Sequence, residues 1–326
     1  MNKRNTIIVG LLFVIIVIEI LVLAPKELGL SPSEEQETSG EMKPQEGASG
    51  QIMNDVHLVE AKPSGKEWEL WADKAMRPAE NAEWTIERVK VTFFANNGVT
   101  YQVTGMQGRV VPSKNDIRIS GKVVTRSSNG YVFKTESMFY DSKSRKLTSP
   151  EAVEMTGGGY KEEGPLHLTG DNMVADLGTN EIVINKNVHA RRRIKDDKIA
   201  TIQSDRALFS GRSNLAHFSG SVLIDIDTMR LSGPEARFSF NPKTEEFESV
   251  EVEGGVKVTD TDKFATSSTV SVHFKEDRVE FTGAPRVVQN GDELVGDQIV
   301  FLEGGKKVQV LNAKAHIDPG AMEKRK

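Results

Sequence analysis

The chain has 326 residues, enough for one large β domain or two small ones, and its formal net charge of -5 offers no basic face for displacing counterions from nucleic acid. It contains no cysteine, which removes disulfides, thiolate zinc sites and iron–sulfur clusters and says little about compartment. Hydrophobic residues make up 37% and aromatic residues 6%, lean for a globular enzyme and ample for a thin, elongated sheet structure.

Residues 1–5 form a short basic head, with Lys3 and Arg4. Thr6 to Ala24 then holds 19 residues with one charge, Glu19. As a helix this stretch spans about 28 Å and crosses the hydrocarbon core. The basic head places the N-terminus in the cytoplasm and the rest outside. A cleaved signal peptide is the rival reading, but Pro25 would follow the cut and hinder processing. Glu19, one turn from the outer end, either reaches the headgroups or partners a polar group on a neighbouring transmembrane helix. Residues 25–51 are rich in Glu, Ser, Gly and Pro and read as a disordered tether, with an r.m.s. reach of about 28 Å.

Patterning returns at Ile52. The stretches Val56–Glu60, Trp68–Ala72, Trp84–Phe94 and Tyr101–Val110 read as the first strands, with Lys74 to Glu83 a polar connection. All three tryptophans, 68, 71 and 84, fall here and are expected to seal the core at this end.

From Asp116 to Lys307 the chain repeats itself. An alternating apolar pair leads to a small residue and then a valine, as in Ile117-Arg-Ile119-Ser-Gly121-Lys-Val123 and Leu215-Ala-His-Phe218-Ser-Gly220-Ser-Val222. The reference valines stand at 123, 153, 188, 222, 256 and 287, steps of 30, 35, 34, 34 and 31. The member ending at Val153 is degenerate, with Pro150 inside it. A period of this size marks a stacked repeat architecture. Each unit has a second apolar run, such as Met138-Phe-Tyr140-Asp141 or Phe238-Ser-Phe240-Asn241, closed by a polar turn. These are period-2 strands with turn chemistry between them.

The residues Trp68-Glu-Leu70-Trp-Ala72, Val91-Thr-Phe93-Phe94, Ile117 to Val123, and Tyr131 to Asp141 ending in Leu147 together resemble the periplasmic domain of the LptC family of lipopolysaccharide export. From Leu166 to about Ile317 the units resemble the related LptA/OstA repeats. The resemblance implies an all-β, open β-jellyroll: twin antiparallel sheets in a V, built from repeats, behind one N-terminal transmembrane helix. It divides the chain into a cytoplasmic head 1–5, a helix 6–24 and a linker 25–51. An LptC-like jellyroll 52–155, continuous LptA/OstA-like repeats 156–318 and a basic tail 319–326 follow. The chain departs from an ordinary LptC in carrying roughly 120–150 further residues, on the order of four more units.

The implied function is an inner-membrane, single-pass conduit with its C-terminal domain in the periplasm. It accepts lipopolysaccharide or a related lipid from an ABC transporter of the export type and passes it on to a soluble LptA-like bridge or an outer-membrane receptor domain. The alignment of units places Ile117, Ile119, Ile182, Ile184, Val250, Val252, Val279 and Phe281 in equivalent positions, joined by Met138, Tyr140, Phe238, Phe240, Val270, Val272 and Phe274 from the second runs. If these point inward they form an apolar lining along the repeat axis. Each methylene buried there gains about 0.8 kcal/mol, so acyl chains need no hydrogen-bond specificity. Taken singly each residue is equally a plain core residue; the groove rests on the set.

No cofactor and no metal site is expected. The histidines at 57, 167, 189, 217, 273 and 316 form no close pair. Asp225/Asp227 and Asp260/Asp262 lack the glycine and terminal glutamate of a calcium loop, and Gly157–Gly159 lacks the Lys-Ser/Thr of a phosphate loop. The run Arg191–Lys195 either faces solvent or meets lipid phosphates. An envelope hydrolase would need paired carboxylates on one face, and Glu251 and Glu253 have no such partners in neighbouring units. The remaining alternative is a scaffold that docks partners by its sheet edges without carrying lipid. An open pair of sheets leaves edges at both ends, and Val308, Val310 and Ile317 mark the expected docking edge at the C-terminal one.

Overall fold

A computed structural model describes residues 50–316, apart from 64, 80–81, 158–163, 195–196, 242–246, 262, 290–291 and 304. The expected span 6–24 with Glu19, most of the linker, and Ile317 lie outside the described residues. Among the described residues no helix is long and apolar enough to cross a membrane.

The fold is all-β. Nine long strands open it: β1 Gln51–Lys62, β2 Gly65–Arg77, β3 Trp84–Phe94, β4 Thr100–Val111, β5 Asp116–Ser127, β6 Val132–Asp141, β7 Lys146–Gly157, β8 Leu166–Asp176 and β9 Glu181–Arg193. Then come β10 Ile199–Ser204, β11 Arg206–Ser210, β12 Leu215–Ile226, β13 Met229–Phe240, β14 Phe247–Thr259 and β15 Lys263–His273. Short strands end it: β16 Arg278–Thr282, β17 Arg286–Gln289, β18 Asp292–Val295, β19 Gln298–Leu302, β20 Lys307–Leu311 and β21 Lys314–His316. Consecutive strands pair antiparallel, so the sheet is largely a meander, and its ladders run through the expected boundary at 155/156 without a break.

The repeated Gly-x-Val motif has a geometric cause. Gly121 and Lys122 both take left-handed backbone, with φ of 81° and 50°, and Gly220 and Ser221 repeat the pair. Two such residues in succession insert a bulge, and the ladder between β5 and β6 shifts between Ser120 and Val123. Glycine adopts this conformation without a Cβ penalty, and the bulge bends the strand there. These register shifts divide the ladders of the long strands into two runs, here called the first and second arms. At the degenerate unit Pro150 has no amide hydrogen to donate, and the β6–β7 ladder skips from Lys134 to Phe139. Beyond β15 the bend becomes a break: β16, β19 and β20 continue one arm, while β17, β18 and β21 continue the other.

Two expectations need correction. Of the tryptophans only Trp68 is buried in the core; Trp71 stacks flat on His57, with ring centroids 5.0 Å apart, and Trp84 is half-buried under Arg77. Trp68 and Trp71 are three residues apart in one strand, and a period of 2 sends them to opposite faces. The polar connection at Lys74 begins as strand, because β2 runs on to Arg77 and Lys74 pairs with Glu87.

Candidate lipid-binding groove

Cross-strand register gathers the expected lining into two adjacent rows on the first arm. One row runs Ile117↔Tyr140↔Leu147↔Ala175↔Ile182↔Phe209↔Ala216↔Phe238↔Val250↔Val272↔Val279↔Phe301. Beside it, Ile119 faces Met138, and further along Met173↔Ile184↔Ala207↔Phe218↔Ala236↔Val252↔Val270↔Phe281↔Ile299 is continuous. Thirteen expected residues thus fall on two rows: Ile117, Tyr140, Ile182, Phe238, Val250, Val272 and Val279 on one, and Ile119, Met138, Ile184, Val252, Val270 and Phe281 on the other.

Phe240 and Phe274 stand apart from these rows. Phe240 pairs with Phe247 past a register shift, and Phe274 lies in the turn after β15, 46% exposed. Both rings touch Phe247, at 4.8 and 6.0 Å between centroids, so the three form an aromatic cluster at the end of the first arm, with Phe240 part-buried against the core. For Phe274 the physical reason is strand length: the period-2 pattern continues through it, but the ladder ends at His273.

The second arm carries a row that the reading of the sequence did not assign. It runs Leu70↔Val91↔Val103↔Thr125↔Phe133↔Met155↔Leu168↔Ala190↔Ile202↔Ile224↔Leu231↔Val258↔Ala265↔Val287↔Leu294. The signal was present in the residue two beyond five of the six reference valines, such as Ala190, Ile224 and Val258.

The two arms face each other. Phe93 sits on the second arm beside Tyr101, and Tyr140 on the first beside Ile117, yet their rings lie 4.5 Å apart. Further along, Arg192 of the second arm, buried, places its guanidinium 4.8 Å from the centroid of Phe247 on the first. Arg192 also donates from Nε to the Gly164 carbonyl at 3.2 Å.

Packing between the arms changes along the chain. Upstream, Ile117, Ile119, Met138 and Tyr140 are at most 1% exposed, and the aromatic rings among the largest fully buried side chains, Phe93, Phe133 and Tyr140, lie there. Downstream, Ile182, Ile202, Phe209, Ile226, Val258, Val272, Val279, Val287, Leu294 and Phe301 are only part-buried against the same core. From β9 onward the row through Ile182 is therefore part-accessible at several positions, while the row through Ile184 stays buried at Val252, Val270 and Ile299.

The upstream mouth carries a polar bracket. Arg145 Nε lies 2.7 Å from Glu67 Oε2, and its Nη2 donates to the Phe94 carbonyl at 2.8 Å. The amide of Asn96 donates to the Leu177 carbonyl at 3.2 Å, its side-chain nitrogen to the Gly178 carbonyl at 3.3 Å, and Tyr101 Oη to Asn180 Oδ1 at 3.4 Å. Burial pushes the Tyr140 phenol up to about 12, with the nearby Glu67 carboxylate adding to the rise.

No arrangement for catalysis emerges. His217 meets Glu235 on a part-exposed face, where Arg237 also contacts Glu235, Glu251 and Glu253. Among the described residues no group of three or more His, Asp or Glu is placed to hold a metal ion. Of the docking-edge residues, Val308 is 46% exposed and Val310 is part-buried against Ile299.

Two protein families match consecutive parts of the chain. The family of lipopolysaccharide-assembly, LptC-related proteins matches residues 14–193, and the LptA/(LptD N-terminal domain) family of lipopolysaccharide transport proteins matches residues 201–304. A crystal structure of LptH, the LptA-homologous periplasmic component of the lipopolysaccharide transport device from Pseudomonas aeruginosa, is similar at 19% identity with a TM-score of 0.34, over 37% of this chain and 95% of that one. No curated protein matches the chain. The first match spans more than half of the sequence, and the chain belongs to the LptC-related family of lipopolysaccharide assembly.

Proposed function

We propose that the chain is a periplasmic conduit for lipopolysaccharide, held at the inner membrane by residues 6–24, with the lipid's acyl chains lying between the two arms and its sugars in water. The observation that carries this reading is the pair of facing apolar rows, which continue from strand to strand across the bends and are part-exposed downstream of β9 at positions such as Ile182, Ile202, Val258 and Val272. A lining of this kind binds by burial, at about 25 cal/mol per Å² of apolar surface, and is indifferent to chain position. That indifference suits passage rather than storage.

In this reading the lipid arrives from an inner-membrane ABC transporter of the export type, docked at the open edge of β1. It leaves toward a soluble LptA-like bridge or an outer-membrane receptor domain at the other end. There β20 pairs with β19 and β21 with β18, each by one edge among the described ladders, and the free edges suit strand addition. The repeats after residue 193 carry part of the bridging within the same chain.

Photocrosslinking from Ile202 to lipopolysaccharide tests the reading, with an outward residue of the same strand such as Gln203 as control. Labelled lipid on Ile202 alone is the expected result; no lipid on either, from protein that docks its partners normally, leaves the scaffold reading.

A further inference from the structure

Upstream of β9 the lining positions Ile117, Ile119, Met138 and Tyr140 are buried and the mouth is bridged, while downstream several positions of the row through Ile182, such as Phe209, Val272 and Phe301, lie part-exposed. The bridge comes from the β3–β4 loop, residues 95–99, which reaches from the end of the second arm to two turns at the end of the first. Asn96 bonds twice to the turn after β8, at Leu177 and Gly178. It also accepts from Arg145 Nη1 in the turn after β6, which in turn meets the buried Glu67. None of these contacts belongs to a strand ladder. They are few, polar and partly exposed, so water replaces them at small net cost when they part, and lifting the loop also uncovers only two apolar residues of its own, Ala95 and Val99. The apolar contact beneath, Phe93 on Tyr140, is the kind of surface an acyl chain restores when it enters.

We propose that the Asn96 loop is a lid over the first jellyroll, and that lipid occupies the interior upstream of β9 only when this lid lifts off the turns at Arg145 and Gly178. The proposal rests on the lipid reading above. It adds a point of control early in the path, ahead of an open downstream groove. Closed, the lid keeps the upstream rows shut to detergent, water and returning lipid.

The absence of native cysteine allows a direct test. Asn96→Cys with Gly178→Cys places two thiols across the lid, where a backbone hydrogen bond already holds the segments at bonding range, and a Cβ on Gly178 meets only Asp176 Oδ1, at 3.2 Å. The full chain carries a benzoylphenylalanine photocrosslinker at Phe133, upstream, or at Ile202, downstream, and is illuminated with labelled lipopolysaccharide. Oxidation is expected to lower crosslinking at Phe133 by about tenfold, because a ligand sees only the open fraction, with Ile202 unchanged and reduction restoring Phe133. Asn96→Ala, which needs no disulfide, is expected to raise crosslinking at Phe133 several-fold. Equal labelling of Phe133 in oxidised and reduced protein, with Ile202 labelled normally, overturns the lid. Absence of label at Ile202 in every state overturns the lipid reading, and the lid with it.

Discussion

The rings of Phe93 and Tyr140 meet at 4.5 Å between centroids, tilted by 42°, although no ladder joins β3 to β6. This contact closes the interior beneath the lid. It also gives the Tyr140 hydroxyl a dry environment close to the Glu67 carboxylate, which holds its proton up to about pH 12.

That shift has a pH signature. In the unfolded chain Tyr140 titrates near its ordinary value of about 10. Its stabilising effect is therefore complete below pH 10 and is lost as the pH rises through 12. Between those limits the native protein is expected to lose about 2–3 kcal/mol more stability than Tyr140→Phe. Urea melts of the two proteins at pH 9 and pH 11.5 measure the difference; parallel losses would exclude it.

Arg145 and the buried Glu67 are expected to behave as a coupled pair. Arg145→Ala leaves a carboxylate that is 4% exposed without its nearest cation and costs about 3 kcal/mol. Adding Glu67→Gln recovers part of that loss, so the double-mutant cycle gives a coupling of about 1 kcal/mol or more. Additive losses would mean that Lys62, 3.7 Å from Glu67, carries the charge balance alone.

Gly170 packs where a Cβ would lie 2.5 Å from Ile184 Cγ2 and 3.0 Å from the Lys186 carbonyl oxygen. Gly170→Ala is therefore expected to destabilise by about 1–3 kcal/mol through overpacking. Thermal unfolding followed by circular dichroism detects this; an unchanged midpoint would show that β8 and β9 slide apart freely.

Charge on the lining is expected to act differently from charge outside it. Val252→Asp puts a carboxylate into a position 1% exposed and should abolish lipid crosslinking at Ile202. Phe238→Asp acts in the same direction from the neighbouring row, whereas Glu251→Lys, on the opposite face beside Arg237, leaves crosslinking nearly intact. Equal effects from both faces would refute the register.

At the terminal edge, Val310→Pro removes a backbone donor from β20. Partner docking by strand addition is expected to weaken about tenfold or more, while crosslinking at Ile202 persists. Full-affinity docking by the folded variant would move the docking site elsewhere.

Much of this was legible in the sequence, for a definite reason. Alternation with a period of 2 and a small residue before each valine are local properties, set by the pleat and by the left-handed backbone of a bulge. They are enough to identify β structure, the repeat, and the rows through Ile117 and Ile119. Local pattern also marks its own failures: Phe274 keeps the period but lies past the last ladder pair, and Trp71 is an aromatic on the wrong parity for the core. What only the tertiary structure decided is which rows face each other and how tightly. The Phe133–Met155–Leu168 row opposes the first arm, as the Phe93–Tyr140 contact across the interior attests, and the lid brings Asn96 to Gly178 across 82 residues of chain. Neither follows from periodicity, because the bend angle and the gap between the arms depend on the summed packing of side chains distant in sequence. The same pattern of valines and phenylalanines therefore gives fully buried positions such as Ile117 and Val252 and part-exposed ones such as Ile182 and Phe301.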